Sequence, residues 1–128
     1  TSVLSEMRMQ HRIARSGALI IDDSYNANPV SVAAALRTVA ETSAKKRYAV
    51  LGIMAEVLNS DVAHQEIATL CRQLKIELLA LETDLYGTSA LSLSDIANIL
   101  KGLDLNTVVL VKGSRVAATE RVVQELTA

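Results

Sequence analysis

Four short runs rich in Val, Ile and Leu recur along the chain, at Ala18 to Ile21, Arg47 to Leu51, Glu77 to Leu81 and Thr107 to Val111, and a helix-length segment follows each. Parallel strands cannot be joined by tight turns and need crossovers of a dozen residues or more. Such an alternation therefore predicts an α/β domain of three layers, a mostly parallel sheet with helices on both faces.

The helical segments carry their own punctuation. The first starts after Asn28, a good N-cap, with Pro29 at the first helical position and Val32, Leu36 and Val39 on one face. The second runs from about Asp61 to Leu74. The third runs from Ser92 to Lys101, where Ser92 and Asp95 form a capping-box pattern and Gly102 supplies the stop. A fourth covers about Val116 to Leu126. The opening segment, Met7 to Ala14, reads differently: Met7, Met9 and His11 alternate with Arg8, Gln10 and Arg12, the period of a half-buried strand. Ser16 and Gly17 would turn it into an antiparallel hairpin with Ala18 to Ile21, so the sheet is expected to carry an N-terminal antiparallel strand.

With 128 residues, half of them apolar, the chain is expected to form a single domain over 1–128. No internal linker interrupts it, and Thr1 to Ser5 read as the remains of one. No apolar stretch approaches the ~20 residues a helix needs to cross a bilayer, so no membrane insertion is expected. Thirteen basic against fourteen acidic residues, with neither Trp nor Phe, provide no basic field and no stacking platform for nucleic acid. Cys71, the single cysteine, shares a helical pattern with Ile67, Leu70 and Leu74 and is expected to pack as a small apolar group. That fits a cytoplasmic protein.

In an open parallel sheet, ligands meet the loops at the carboxyl ends of the strands, where helix N-termini present backbone N–H groups. Three such loops hold polar clusters. After the first strand, Asp22 and Asp23 stand side by side, followed by Tyr25, Asn26 and Asn28. Adjacent carboxylates repel unless a cation or hydroxyl satisfies them. After the last strand, Lys112, Gly113, Ser114 and Arg115 suit an anion at a helix entrance. After the second, Gly52 to Glu56 precedes His64, but one His and one Glu do not make a metal site, and structural roles are expected there. The chain contains neither a G-x-x-x-x-G-K-S/T phosphate loop nor a G-x-G-x-x-G dinucleotide fingerprint.

The run Ile21-Asp22-Asp23-Ser24-Tyr25-Asn26-Ala27-Asn28-Pro29 resembles the signature that opens the C-terminal domain of MurF-type ligases. Arg8-Met9, Ala49-Val50-Leu51-Gly52 with Met54 and Glu56, and Val109-Leu110-Val111-Lys112-Gly113-Ser114 agree with it in order and spacing, so the resemblance covers essentially the whole chain.

The resemblance implies a Rossmann-like third domain of a three-domain enzyme. The absent first domain would hold a uridine nucleotide, and the absent central domain would carry the phosphate loop, ATP and Mg2+. The enzyme would be an ATP-dependent, ADP-forming amide ligase of peptidoglycan precursor synthesis. It would join D-alanyl-D-alanine to UDP-N-acetylmuramoyl-tripeptide through an acyl phosphate, as a cytoplasmic monomer. This domain would act as a lid, inactive alone. The resemblance assigns Arg8 to an ATP phosphate and Asp23 to the ribose hydroxyls. It places Tyr25, Asn26 and Asn28 on the nucleotide or peptide side of the cleft, and Lys112, Ser114 and Arg115 toward the incoming dipeptide. No metal ligand is expected in this domain.

The chain departs from the family pattern at Ile53, where an acidic residue usually follows the glycine, and at Leu58-Asn59, where a glycine is usual. Both departures weaken any site role for the Gly52 to Glu56 loop. Two other readings compete: a phosphoacceptor receiver domain with Asp84 as acceptor, and a non-catalytic binding module with a ligase-like fold. A receiver has five strand–helix units where this chain shows four after the hairpin.

Overall fold

The run Thr107–Lys112 is buried at every position and forms β5, the middle strand of a five-stranded sheet, as a nearly continuous apolar run flanked on both faces should. The computed structural model describes residues 10–23, 27–55, 57–114 and 117–127. Within them, β1 is Gln10–Ile13, β2 Leu19–Asp23, α1 Pro29–Glu41, β3 Lys46–Leu51, α2 Ser60–Gln73, β4 Glu77–Ala80, α3 Leu93–Leu100 and α4 Glu120–Thr127. The sheet order is β1-β2-β5-β3-β4, with β1 antiparallel to β2 and every other pair parallel.

Chain order and the right-handed rule for crossovers decide which face each helix covers. Chain progress from β2 to β3 to β4 runs one way across the sheet, placing α1 and α2 on one face. There Val32, Leu36, Val39, Ile67 and Cys71 pack on Ile21, Ala49, Leu51, Val108 and Leu110. The return from β4 to β5 puts α3 on the opposite face, where α4 joins it: Ile96, Leu100, Val122 and Val123 pack on Ile20, Val50, Val109 and Val111. Consecutive strand residues thus serve two separate cores, as the alternation of side chains along a strand requires.

The expected hairpin forms: the Ala14 amide donates to the Ala18 carbonyl and the Gly17 amide to the Ala14 carbonyl, with Gly17 at φ +94°. The opening strand differs from the half-buried expectation, because all four β1 residues are exposed. Among the described residues it is an edge strand paired only with β2, and its side chains are left in solvent. Its first part, Met7 to Met9, lies outside the described residues. The last helix starts at Glu120, after a turn over 117–119; Val116, its expected start, lies outside the described residues. Cys71 is buried, its thiol pushed up to about 12 by burial, in keeping with a packing role. No helix among the described residues is long and apolar enough to cross a membrane.

Candidate functional site

The helices after β2 and β3 leave toward one face and the helix after β5 toward the other, so the carboxyl ends of these three neighbours surround a topological switch point, where open α/β sheets form a crevice. Asp23, Lys112 and Leu51 stand there in one row of the ladder: Asp23 is the register partner of Lys112, and Lys112 of Leu51.

The two adjacent carboxylates are resolved by strand alternation. Asp22 points to the face of α3 and α4 and meets the Arg12 guanidinium of β1 at 3.1 Å. Asp23 points to the face of α1 and α2 and accepts from the Lys112 ammonium at 2.6 Å. Each therefore has its own cation. The two pairs differ in environment: the Arg12 side chain is 47% exposed, whereas the Lys112 and Asp23 side chains are 3% and 7% exposed. Lys112, expected to face an incoming dipeptide, is thus buried behind the crevice on Asp23, the residue expected at the ribose. The structure brings these two predicted site residues into one contact.

Asn28 caps α1 as expected. Its side chain accepts from the Ser31 amide at 2.9 Å, and the Ser31 hydroxyl accepts from the Asn28 amide at 3.1 Å, a reciprocal capping box. Arg8, Tyr25, Asn26 and Arg115 lie outside the described residues.

Beyond Lys112 the backbone closes tightly over β3. A β-carbon on Gly52 would sit 2.5 Å from the Ala117 Cβ, and one on Gly113 would sit 2.6 Å from the Thr119 Cγ2 and 3.2 Å from the Gly52 Cα. Only glycine allows this approach. The Ser114 amide donates to the Ile53 carbonyl and the Gly52 amide to the Lys112 carbonyl, tying the two loops together. In this mouth the hydroxyls of Ser114 and Thr119, both buried, have no hydrogen-bond partner among the described residues. Buried polar atoms without partners are uncommon and point to a ligand-facing or strained location.

The loop after β3 is held from below by side chains whose partners are distant in sequence. The Tyr86 hydroxyl, from the segment between β4 and α3, donates to the Gly52 carbonyl at 2.7 Å; burial pushes the phenol's pKa up, keeping it a donor. The Met54 amide donates to His64 Nε2 at 2.9 Å. An amide can only donate, so Nε2 accepts and Nδ1 carries the hydrogen, which it gives to the Ser60 carbonyl at 2.7 Å. His64 is thus a buried brace packed edge-on against Tyr86, consistent with the structural role read for it. Tyr86 and Thr119 were not singled out in the sequence; an isolated Tyr in a polar loop and a Thr before a helix carry no local signal.

Asp84 lies exposed in the loop beyond β4, not at a strand tip, unlike the acceptor of a receiver domain. Among the described residues, no group of three or more His, Cys, Asp or Glu side chains is placed to hold a metal ion.

The sequence profile of the family described as Mur ligase, glutamate ligase domain, matches residues 7–128. Proteins named UDP-N-acetylmuramoyl-tripeptide--D-alanyl-D-alanine ligase are similar. Those of Mycobacterium bovis and Mycobacterium tuberculosis are 37% identical over 82 residues, 59% of this chain and 16% of theirs. That of Mycobacterium leprae is 33% identical over 93 residues, 62% of this chain and 18% of its own. Among solved structures, a MurF ligase from Thermotoga maritima in complex with ADP superposes with a TM-score of 0.78 at 25% identity, over 93% of this chain and 30% of that one. A MurF from Acinetobacter baumannii gives 0.77 at 25% identity, over 93% and 30%. The chain spans less than a third of these relatives. The chain belongs to the Mur ligase, glutamate ligase domain family, as a C-terminal domain of the MurF type.

Proposed function

We propose that this chain is the lid domain of an ATP-dependent, ADP-forming amide ligase that adds D-alanyl-D-alanine to UDP-N-acetylmuramoyl-tripeptide, in the cytoplasm and as a monomer. The observation that carries the reading is the crevice at the switch point, where a buried Asp23–Lys112 pair backs two unpartnered hydroxyls, Ser114 and Thr119. Two further findings support it: the activity for which the mycobacterial relatives are named, and the ADP held by the Thermotoga maritima neighbour.

In this reading ATP phosphorylates the tripeptide's terminal carboxylate, and the amine of the dipeptide attacks the resulting acyl phosphate and expels phosphate. ATP and Mg2+ are held mainly by domains outside this chain. Closing the domain over the site excludes water from an acyl phosphate that water would otherwise hydrolyse. Arg8 neutralises ATP phosphate oxygens, and Tyr25, Asn26 and Asn28 serve the nucleotide or peptide side of the cleft. Asp23, held by Lys112, serves the ribose side; Ser114 and Arg115 face the dipeptide. A hydroxyl donor aimed at developing negative charge stabilises a transition state without reorganising.

The test is phosphate release by the full-length parent protein with ATP, magnesium, the nucleotide-linked tripeptide and D-alanyl-D-alanine, comparing wild type with Arg8→Ala and Ser114→Ala. Ser114→Ala is the cleaner probe, because its hydroxyl has no hydrogen-bond partner among the described residues. Dipeptide-dependent release that falls by at least ~10-fold in both variants, about 1.4 kcal/mol of transition-state stabilisation, is expected. Full activity in both would remove these residues from the site, and no dipeptide dependence in wild type would leave a non-catalytic binding module.

A further inference from the structure

Among the described residues four non-glycine positions have positive φ: Asn59, Lys75, Glu82 and Ala118. Left-handed backbone is unfavourable for any residue bearing a β-carbon and persists where surrounding contacts overdetermine it. Lys75 follows the end of α2, where left-handed backbone is common, and Asn59, the N-cap of α2, is of a residue type that adopts it readily. Glu82 (φ +58°) and Ala118 (φ +53°) sit in different loops, one after β4 and one before α4, and a single side chain joins both.

That side chain is Arg121, in the first turn of α4. Its Nε donates to the Ala118 carbonyl at 2.9 Å and its Nη2 to the Ala117 carbonyl at 3.0 Å. The remaining edge of the guanidinium meets both carboxylate oxygens of Glu82. Glu82 is itself anchored, its amide donating to the Leu91 carbonyl. The Glu82 carboxyl is held below its ordinary range, chiefly by the hydrogen bond from Arg121. An isolated surface ion pair would explain the carboxylate contact alone. It would not explain why the same guanidinium takes two consecutive carbonyls of the turn that lies on Gly52 and Gly113.

We propose that Arg121, braced by Glu82, is a positioning residue for the acceptor side of the site: it clamps the 117–119 turn onto the two glycines and so sets where the Ser114 and Thr119 hydroxyls stand. The proposal rests on the ligase reading and extends it, since it assigns the clamp to dipeptide and not to nucleotide recognition. The clamp lies beyond β5, on the side of Lys112 and Ser114, whereas the nucleotide-side residues follow β2. A planar fork is required, because a lysine ammonium keeps the charge but cannot reach two carbonyls and a bidentate carboxylate together.

The experiment measures KM for D-alanyl-D-alanine and for ATP separately in the full-length parent protein, for wild type, Arg121→Lys, Arg121→Gln and Glu82→Gln. Both Arg121 variants are expected to raise the dipeptide KM about tenfold, within the ~10²-fold that a displacement of ~1 Å can cost, and to leave the ATP KM within about twofold. Glu82→Gln, which keeps one acceptor oxygen, is expected to give a smaller rise of the same kind. Unchanged dipeptide KM in Arg121→Lys, or a parallel rise of both KM values, overturns the clamp while the ligase reading stands. A wild type without dipeptide-dependent turnover overturns the reading, and the clamp's role falls with it. Should Arg121→Gln not fold, Arg121→Lys and Glu82→Gln decide the matter.

Discussion

The two edges of the sheet use charge in opposite ways. At the amino edge, cations sit on helix C-termini: Arg47 donates to the carbonyls of Val39 and Thr42 at the end of α1, and Arg15 to the Glu125 carbonyl in α4. These contacts complement the negative end of a helix and are satisfied within the fold. A recess of about 480 Å³ opens there, lined by Arg15, Asn98, Lys101 and Glu125 among others. At the carboxyl edge the chemistry is of another kind: a buried ion pair, two glycines pressed by a turn, and two buried hydroxyls without a hydrogen-bond partner among the described residues. Polar groups already occupied by helix ends cap structure, whereas those left unsatisfied at a switch point are available to a ligand. Hydrogen-bond accounting therefore distinguishes the carboxyl edge from the recess at the amino edge.

The contrast is open to attack by mutation, beginning with the largest expected effect. Lys112→Met should destabilise the chain by about 3–5 kcal/mol in urea unfolding, because it removes the ammonium that neutralises the buried Asp23 carboxylate. Adding Asp23→Leu should recover most of that loss; a single variant as stable as wild type would mean that the pair is not buried in solution. Next, Gly52→Ala should cost about 1–3 kcal/mol through the clash with Ala117 and Thr119, read as a fall in the urea midpoint without a change of slope. At the amino edge, Arg47→Ala should cost only about 0.3–1 kcal/mol in the same assay, the usual worth of a cation at a helix C-terminus. If Arg47→Ala proved as costly as Lys112→Met, the distinction between a capping edge and a site edge would collapse.

Much of this architecture is legible from local signals. The four strand runs, the Asn28 cap with Pro29, the Ser92–Asp95 capping box and the Gly17 turn all appear where periodicity and turn chemistry put them. The start of α4 was misjudged because the 117–119 turn is imposed by packing on Gly52 and Gly113, which are remote in sequence. The same distance hid Arg121: nothing near it announces a partner 39 residues away in Glu82. Tyr86 escaped for the same reason, its acceptor being 34 residues back at Gly52.

Asp22 and Asp23 show where the division lies. Their adjacency, and the need for something to offset it, followed from the sequence alone, as did the alternation that turns neighbouring side chains to opposite faces. Which cation each would meet depended on strand order. Insertion of β5 beside β2 brought Lys112 into register with Asp23, and the antiparallel β1 delivered Arg12 to Asp22. Local sequence thus determined the elements and their polar termini, through propensities that act over a few residues. Tertiary structure alone decided which termini meet, because the order of strands in a sheet is set by burying two apolar faces at once and not by any neighbour along the chain.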